Sequence, residues 1–202
     1  MLPEILAQNL SVVFVGTTIS ETSDELGFYY LGPNNRFWFL LEYAGITPTS
    51  VVSHSERKIL VDAKKDRVLD EMYKKLFFEK KESALLKHRI GLTDLNRRRV
   101  VSNDNDPAAE PTIDDIQKFV RKVEKYRPKI IAFVTKMEIF ENCFKPLYPS
   151  VNRQRGKQDF LIGNSEVWLL GSTRGRVKDT DALEQVFEDL AERLSHLEKE
   201  GV

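Results

Sequence analysis

The run Ser11–Val15, reading SVVFV, is β-branched and aromatic throughout, and it stops at Gly16 in a pair of small hydroxyl residues, Thr17-Thr18. A short, wholly apolar run of this kind predicts a central strand buried on both faces, which only an α/β sheet covered by helices can accommodate. Lys129–Val134 repeats the pattern and predicts a second buried strand. Between and after these runs lie helical segments. Asn35–Ala44 places Phe37, Leu40, Leu41 and Ala44 at helical spacing and ends at Gly45. Thr112, with Asp114 and Asp115 in the following turn, starts a helix that runs to about Tyr126 and stops before Pro128. From Asp181 to Lys199, Leu183, Val186, Phe187, Leu190, Leu194 and Leu197 form one apolar face. Ile90–Leu95 predicts a further short strand, and Gln158–Ile162 and Glu166–Leu170 flank Gly163-Asn164 as a hairpin.

Strands alternating with helices imply a largely parallel sheet covered on both sides. The 202 residues form one domain in this reading, with a charged helical segment at about 51–86 whose apolar positions are Leu69, Met72, Tyr73, Leu76 and Phe77. That segment is expected to be a solvated helical cover. Ligands in such sheets bind beyond the carboxyl ends of the strands. Two glycine-led segments leave strands there, Gly16–Ser20 and Gly171–Lys178, and they are expected to face one another across one cleft.

Several functions are excluded. Gly16-Thr17-Thr18 lacks the Lys-Ser/Thr of a phosphate loop, and no GxGxxG opens a helix. His54, His88 and His196 are widely spaced in charged surroundings, so neither a metal site nor a histidine triad is expected. Cys143 is the single cysteine, which excludes an internal disulfide and fits a reducing compartment. No apolar run approaches the ~18 residues of a membrane span. The first ten residues, MLPEILAQNL, are too short and acidic for a signal peptide, so the expected location is the cytoplasm, in association with the nucleoid in a bacterium. Lys+Arg and Asp+Glu balance at 31 each, so only local clustering bears on nucleic acid. Arg97–Arg99, Arg153/Arg155/Lys157 and Arg174/Arg176/Lys178 are such clusters, and together they favour a polyanion partner bound in a salt-dependent way.

Five segments, in order, carry a resemblance: VVFVGTT, GFYYLGPNNRFW, GLTDL, RGKQDFLIG and VWLLGSTRG. Over roughly Ile5 to Leu194 the chain resembles the mismatch-specific uracil/thymine-DNA glycosylases of the uracil-DNA glycosylase superfamily, and Val51–Leu86 is the region least like them. The resemblance implies a three-layer α/β/α sandwich with a short, mainly parallel central sheet. It implies a monofunctional enzyme that hydrolyses the N-glycosidic bond of uracil flipped out of mismatched DNA in base excision repair, without cofactor or metal; a monomer is expected. Flipping is least costly at a mismatch.

The same resemblance assigns roles to residues. Tyr30 stacks on the extruded base, while Gly16, Thr17 and Tyr30 present backbone groups to its carbonyls. Asn35–Trp38 hold the aromatic loop. Ser172, Thr173, Arg174 and Gly175 face the DNA backbone, and Arg176 is the wedge that fills the vacated stack. Arg155–Lys157 lie near the DNA. Thr18 departs from the pattern, because family members often place an asparagine there to position the attacking water. A threonine hydroxyl orients a water but is no general base near neutral pH. Leaving-group stabilisation with an oriented water is one resolution. A carboxylate from Asp24, Glu21 or Asp94 is another, and a weak or lesion-restricted enzyme is a third. Hypoxanthine or an etheno-adduct as substrate, and a catalytically weak lesion-binding protein, stay open beside uracil.

Overall fold

A computed structural model describes residues 1–66, 68–102, 106–174 and 179–200. Its elements in chain order are β1 (Val12–Ser20), α1 (Glu21–Leu26), α2 (Phe37–Tyr43), α3 (His54–Lys65), α4 (Glu71–Lys87), β2 (Ile90–Val101), α5 (Ile113–Tyr126), β3 (Ile130–Phe133), α6 (Met137–Phe144), β4 (Gly156–Ile162), β5 (Ser165–Leu169) and α7 (Thr180–Lys199). The strands form one sheet in the order β2-β1-β3-β5-β4. All neighbours are parallel except β4 and β5, which form the expected antiparallel hairpin.

Alternation along the strands divides the core in two. Val12, Phe14, Ile90, Leu92, Ile130, Ala132 and Trp168 point to a layer built from α1–α4 and α7. Val13, Val15, Leu95, Ile131, Phe133, Val167 and Leu169 point to the opposite layer, where α5 and α6 bring Ile116, Phe119, Val123, Phe140 and Phe144. This is a three-layer α/β/α sandwich. Among the described residues no helix is long and apolar enough to cross a membrane.

Local chemistry sets the boundaries. Thr112 caps α5 in a reciprocal capping box with Asp115, and Arg127 ends that helix in the left-handed region at φ 49°. Ser53 and Glu56 form the same box at α3. The face of α7 lies as its spacing requires: Leu183, Val186, Phe187, Leu190 and Leu197 are buried.

Three expectations need correction, and one helix was not anticipated. Gly16–Ser20 is not a loop: β1 continues through it, because β2 runs to Val101 and keeps pairing, Gly16 with Asp94 and Thr18 with Asn96. Threonine and isoleucine favour this pleated edge. Arg97–Arg99 therefore sit inside β2 rather than beyond a strand end. In α4 the apolar phase differs from the one read: Phe77, Phe78 and Leu85 are buried, whereas Met72, Tyr73 and Leu76 are exposed. Apolar residues occur all round this helix, so spacing alone does not select a face. Finally, α6 went unread, although Met137, Phe140 and Phe144 stand at helical spacing.

Candidate active site

The chain leaves β1 for β2 on one side and later returns to β3 on the other, so the carboxyl ends of β1 and β3 form a topological switch point. β3 is only four residues long, and its pairing with β1 ends at Val15 opposite Phe133. Beyond that rung β1 has a partner on the β2 side alone. Strand alternation turns the N–H and C=O of Thr17 toward the vacated side. A cleft opens there, lined by Gly16–Ser20, Ser23, Tyr29, Tyr30, Gly32, Asn35, Asp94, Val134–Lys136, Ile139 and Ser172–Arg174.

The two glycine-led segments do share this cleft, and hydrogen bonds stitch their surroundings together. Asn35 Oδ1 accepts from the Phe37 amide at 3.0 Å and from Thr173 Oγ1 at 2.9 Å. The Arg36 amide donates to the Thr173 carbonyl at 2.9 Å, and Arg36 reaches Glu184 on α7 at 2.5 Å. On the other wall, Thr17 Oγ1 and Thr135 Oγ1 lie 2.5 Å apart. Thr18 Oγ1 donates to the Arg99 carbonyl at 3.0 Å, which fixes the hydroxyl and leaves its lone pairs unengaged by that bond.

Tyr30 occupies the cleft floor. Its ring lies 3.9 Å from that of Phe37 at an interplanar angle of 30°, and its backbone sits at φ 56°. A left-handed tyrosine is strained by about 1–3 kcal/mol, and such strain persists only where neighbours enforce it. Here Ser23 Oγ accepts from the Leu31 amide at 3.2 Å, and Trp38 Nε1 donates to the Tyr29 carbonyl at 3.1 Å. Arg57 of α3 donates to the carbonyls of Gly32 and Asn35. Sequence reasoning missed Arg57, which stands in a segment read as solvated cover. It also missed Thr135, although a hydroxyl directly after a buried strand was a usable signal.

Behind Tyr30 lies Asp94, 4% exposed and paired across the ladder with Gly16. A Cβ on Gly16 would stand 2.2 Å from Asp94 Oδ1 and 3.3 Å from Tyr30 Oη, so only glycine lets these groups approach the strand. Asp94 Oδ2 and Tyr30 Oη are both buried without a hydrogen-bond partner among the described residues. Burial pushes the Asp94 carboxyl up to about 7, with Glu4 adding to the rise and Arg97 and Lys122 opposing it. Burial, reinforced by Asp94, likewise holds the Tyr30 phenol well above its ordinary range.

Asp24 is elsewhere. Its carboxylate lies 3.1 Å from the amino terminus of Met1, and it lines a different groove together with Gly27 and α4. Glu21 is exposed at the start of α1. Ser172, Thr173 and Arg174 line the cleft, whereas Gly175 and Arg176 lie outside the described residues. The other basic clusters are largely engaged with acids. Arg97 pairs with Glu4 at 3.7 Å and donates to Tyr29 Oη at 3.0 Å, and Arg98 pairs with Asp115 at 2.9 Å. Arg153 pairs with Glu141, and Lys157 with Glu166 at 3.2 Å. Arg155 donates to the Leu170 carbonyl at 3.1 Å, at the entry to the second glycine segment.

An open strand edge, an aromatic floor and a buried acid at the switch point of a parallel sheet define an α/β/α protein with a compact, polar-rimmed ligand cleft. A family model for the uracil DNA glycosylase superfamily matches residues 3–194, and the chain belongs to that superfamily. It is a DNA glycosylase, a hydrolase of DNA repair.

Proposed function

We propose that this glycosylase removes uracil from DNA, with mismatched sites preferred, and that Tyr30 receives the flipped base. The observation that carries the reading is the Tyr30–Phe37 ring pair at the floor of the cleft, beside the unpaired edge of β1. Phe37 backs one face of the tyrosine, and a flat heterocycle suits the other. The N–H of Thr17 at the open edge stabilises negative charge developing on a pyrimidine carbonyl as the bond to the sugar breaks, which is the group of effects that dominates such reactions. Thr18 Oγ1, oriented by its bond to Arg99, accepts a hydrogen bond from the attacking water and holds it against an oxocarbenium-like sugar. Thr173, fixed by Asn35, and the neighbouring Ser172 and Arg174 contact the phosphates beside the flipped nucleotide.

The test is incision of duplexes holding uracil opposite guanine or adenine, and of single strands, with alkali cleavage of the abasic product. Faster release opposite guanine than adenine is expected, because unpairing a mismatch costs less. Binding without product at excess protein would overturn the uracil assignment in favour of a weak lesion-binding protein. Faster release of hypoxanthine or an etheno-adduct would replace the substrate.

A further inference from the structure

Arg57 stands in the first turn of α3, outside the residues that line the cleft, yet both of its side-chain bonds run to the loop that carries Tyr30. Its Nη2 donates to the Gly32 carbonyl and its Nη1 to the Asn35 carbonyl at 3.4 Å. Those carbonyls are the two ends of one turn. The Asn35 amide donates back to the Gly32 carbonyl at 3.2 Å, Pro33 takes the second position, and Asn34 takes the third at φ 59°. Proline followed by a positive-φ residue is the pattern of a type II turn. A planar guanidinium spans such a pair of acceptors, and its charge strengthens both bonds.

We infer that Arg57 is a positioning residue for base excision: it clamps the turn at 32–35 and, through Asn35, sets where Thr173 and its neighbours stand relative to the base platform. The inference rests on the proposed excision site at Tyr30 and Thr173, and not on which base leaves. The turn lies between the two walls of the cleft. Tyr30 precedes Gly32 by two residues, and Phe37, whose ring lies 3.9 Å from that of Tyr30, follows Asn35 by two. Asn35 Oδ1 accepts from Thr173 Oγ1 at 2.9 Å, the Arg36 amide donates to the Thr173 carbonyl at 2.9 Å, and Asn35 forms an antiparallel bridge with Arg174. A displaced turn therefore moves the stacking platform and the second wall together.

The other end of the clamp is anchored as well. Ser53 and Glu56 cap α3 reciprocally, and Glu56 Oε1 accepts from Lys81 Nζ of α4 at 2.6 Å. Lys81 is 5% exposed, so breaking that pair would strand a buried charge. The residue next to Arg57 is thus pinned to a second helix. Through this one side chain the α3–α4 pair, otherwise a cover, reaches the site. The guanidinium is engaged by carbonyls rather than presented to phosphate.

The experiment compares wild type, Arg57→Met, Arg57→Lys, Thr173→Val and the Arg57→Met/Thr173→Val double variant on a duplex carrying uracil opposite guanine. It reads single-turnover excision, duplex affinity against salt, melting temperature, and amide exchange at Asn35, Arg36 and Phe37. Arg57→Met is expected to lower excision by about tenfold to a hundredfold, as for reacting groups displaced by an ångström or so, with duplex affinity and its salt slope unchanged. Exchange at those amides should accelerate while α5 and α7 exchange as in wild type. Arg57→Lys, which keeps the charge but not the planar fork, should recover part of the loss. Because Arg57 acts through Asn35 on Thr173, the double variant should lose no more than the worse single variant. Losses that multiply, full recovery by lysine, or a salt slope lowered by roughly one, the mark of a phosphate contact, would each overturn the proposal. If wild type releases no uracil, the substrate assignment fails and exchange decides alone: acceleration at those amides in Arg57→Met supports the clamp, and wild-type exchange overturns it.

Discussion

The two halves of β1 differ in one respect that separates folding from chemistry. From Val12 to Val15 the strand is hydrogen-bonded on both sides, to β2 and β3, and its side chains feed both core layers. From Gly16 to Ser20 its backbone is laddered on the β2 side alone among the described residues. The first half satisfies its backbone and commits every residue to packing. The second half leaves an edge unpaired, carries glycine and hydroxyl groups, and meets a buried acid. One strand thus anchors the sheet and furnishes the site, and the length of β3 decides where the change occurs.

The comparison breaks most sharply in the closed half. Phe133 pairs opposite Val15 at the last shared rung and packs its ring 4.9 Å from Phe144 and 5.0 Å from Phe140. Phe133→Ala is expected to cost about 3–5 kcal/mol, lowering Tm by roughly 10 °C. Thermal melts followed by circular dichroism check the loss. Specific activity of the folded fraction should stay close to wild type, because the ring faces the layer opposite Tyr30; a parallel collapse of activity would mean the two halves are not separable.

In the open half, Gly16→Ala is expected to act the other way round. The new Cβ would collide with Asp94 Oδ1 at 2.2 Å and crowd Tyr30 Oη at 3.3 Å. Base excision should fall by about a hundredfold, as expected when reacting groups are displaced by an ångström or so. The accompanying loss of stability should shrink in an Asp94→Ala background, which removes the colliding oxygen; a double-mutant cycle on melting temperature measures that coupling.

Much of this division was readable beforehand, and the unreadable part has a physical cause. Apolar runs and caps specify which segments become strands and helices, so β1, β3, α5, α7 and the β4–β5 hairpin lie where their patterns indicate. Gly16–Ser20 looked like a loop because glycine followed by hydroxyl residues is turn chemistry. It remains a strand because a neighbour, β2, is long enough to pair with it, and partner length is a property of another segment. The aromatic floor at Tyr30 was legible through resemblance, and the meeting of the two glycine segments through the logic of a parallel sheet. Asp94 was one of several candidate carboxylates, and its burial and its place in the cleft, rather than in the groove that Asp24 lines, separate it from Asp24. Arg57 gave no local signal, since its role depends on where α3 lands.

Thr18 tests how the open half handles water. Its hydroxyl is oriented by donation to the Arg99 carbonyl at 3.0 Å. Thr18→Val keeps the shape and removes the polar group, and kcat is expected to fall by about tenfold with little change in KM, the loss of roughly one hydrogen bond in the transition state. Thr18→Asn supplies an amide that both donates and accepts, and it is expected to raise kcat. Single-turnover excision of uracil reads both. If Thr18→Val is as active as wild type, the water is held by another group and the role of this strand edge narrows to binding the base.

The smallest effect is expected at Asp24, and its smallness is informative. Asp24 follows the open half by only four residues, yet its carboxylate faces the Met1 amino terminus at 3.1 Å, with both side chains about a third exposed. Partly exposed ion pairs contribute about 0–1 kcal/mol after screening, so Asp24→Ala should shift Tm by no more than a few degrees. Excision should match wild type, because the residue lines a groove apart from the cleft. Asp94→Asn is expected to behave differently in the same melts. The folded protein binds a proton at Asp94 up to about pH 7, whereas the unfolded chain releases it near pH 4. Stability therefore falls as pH rises between those values, and replacing the acid should stabilise the protein at pH 8 relative to pH 5. Of the two aspartates, proximity in sequence favours Asp24, which lines a groove apart from the cleft. Burial without a partner, set by the ladder that places Asp94 opposite Gly16, picks out the other.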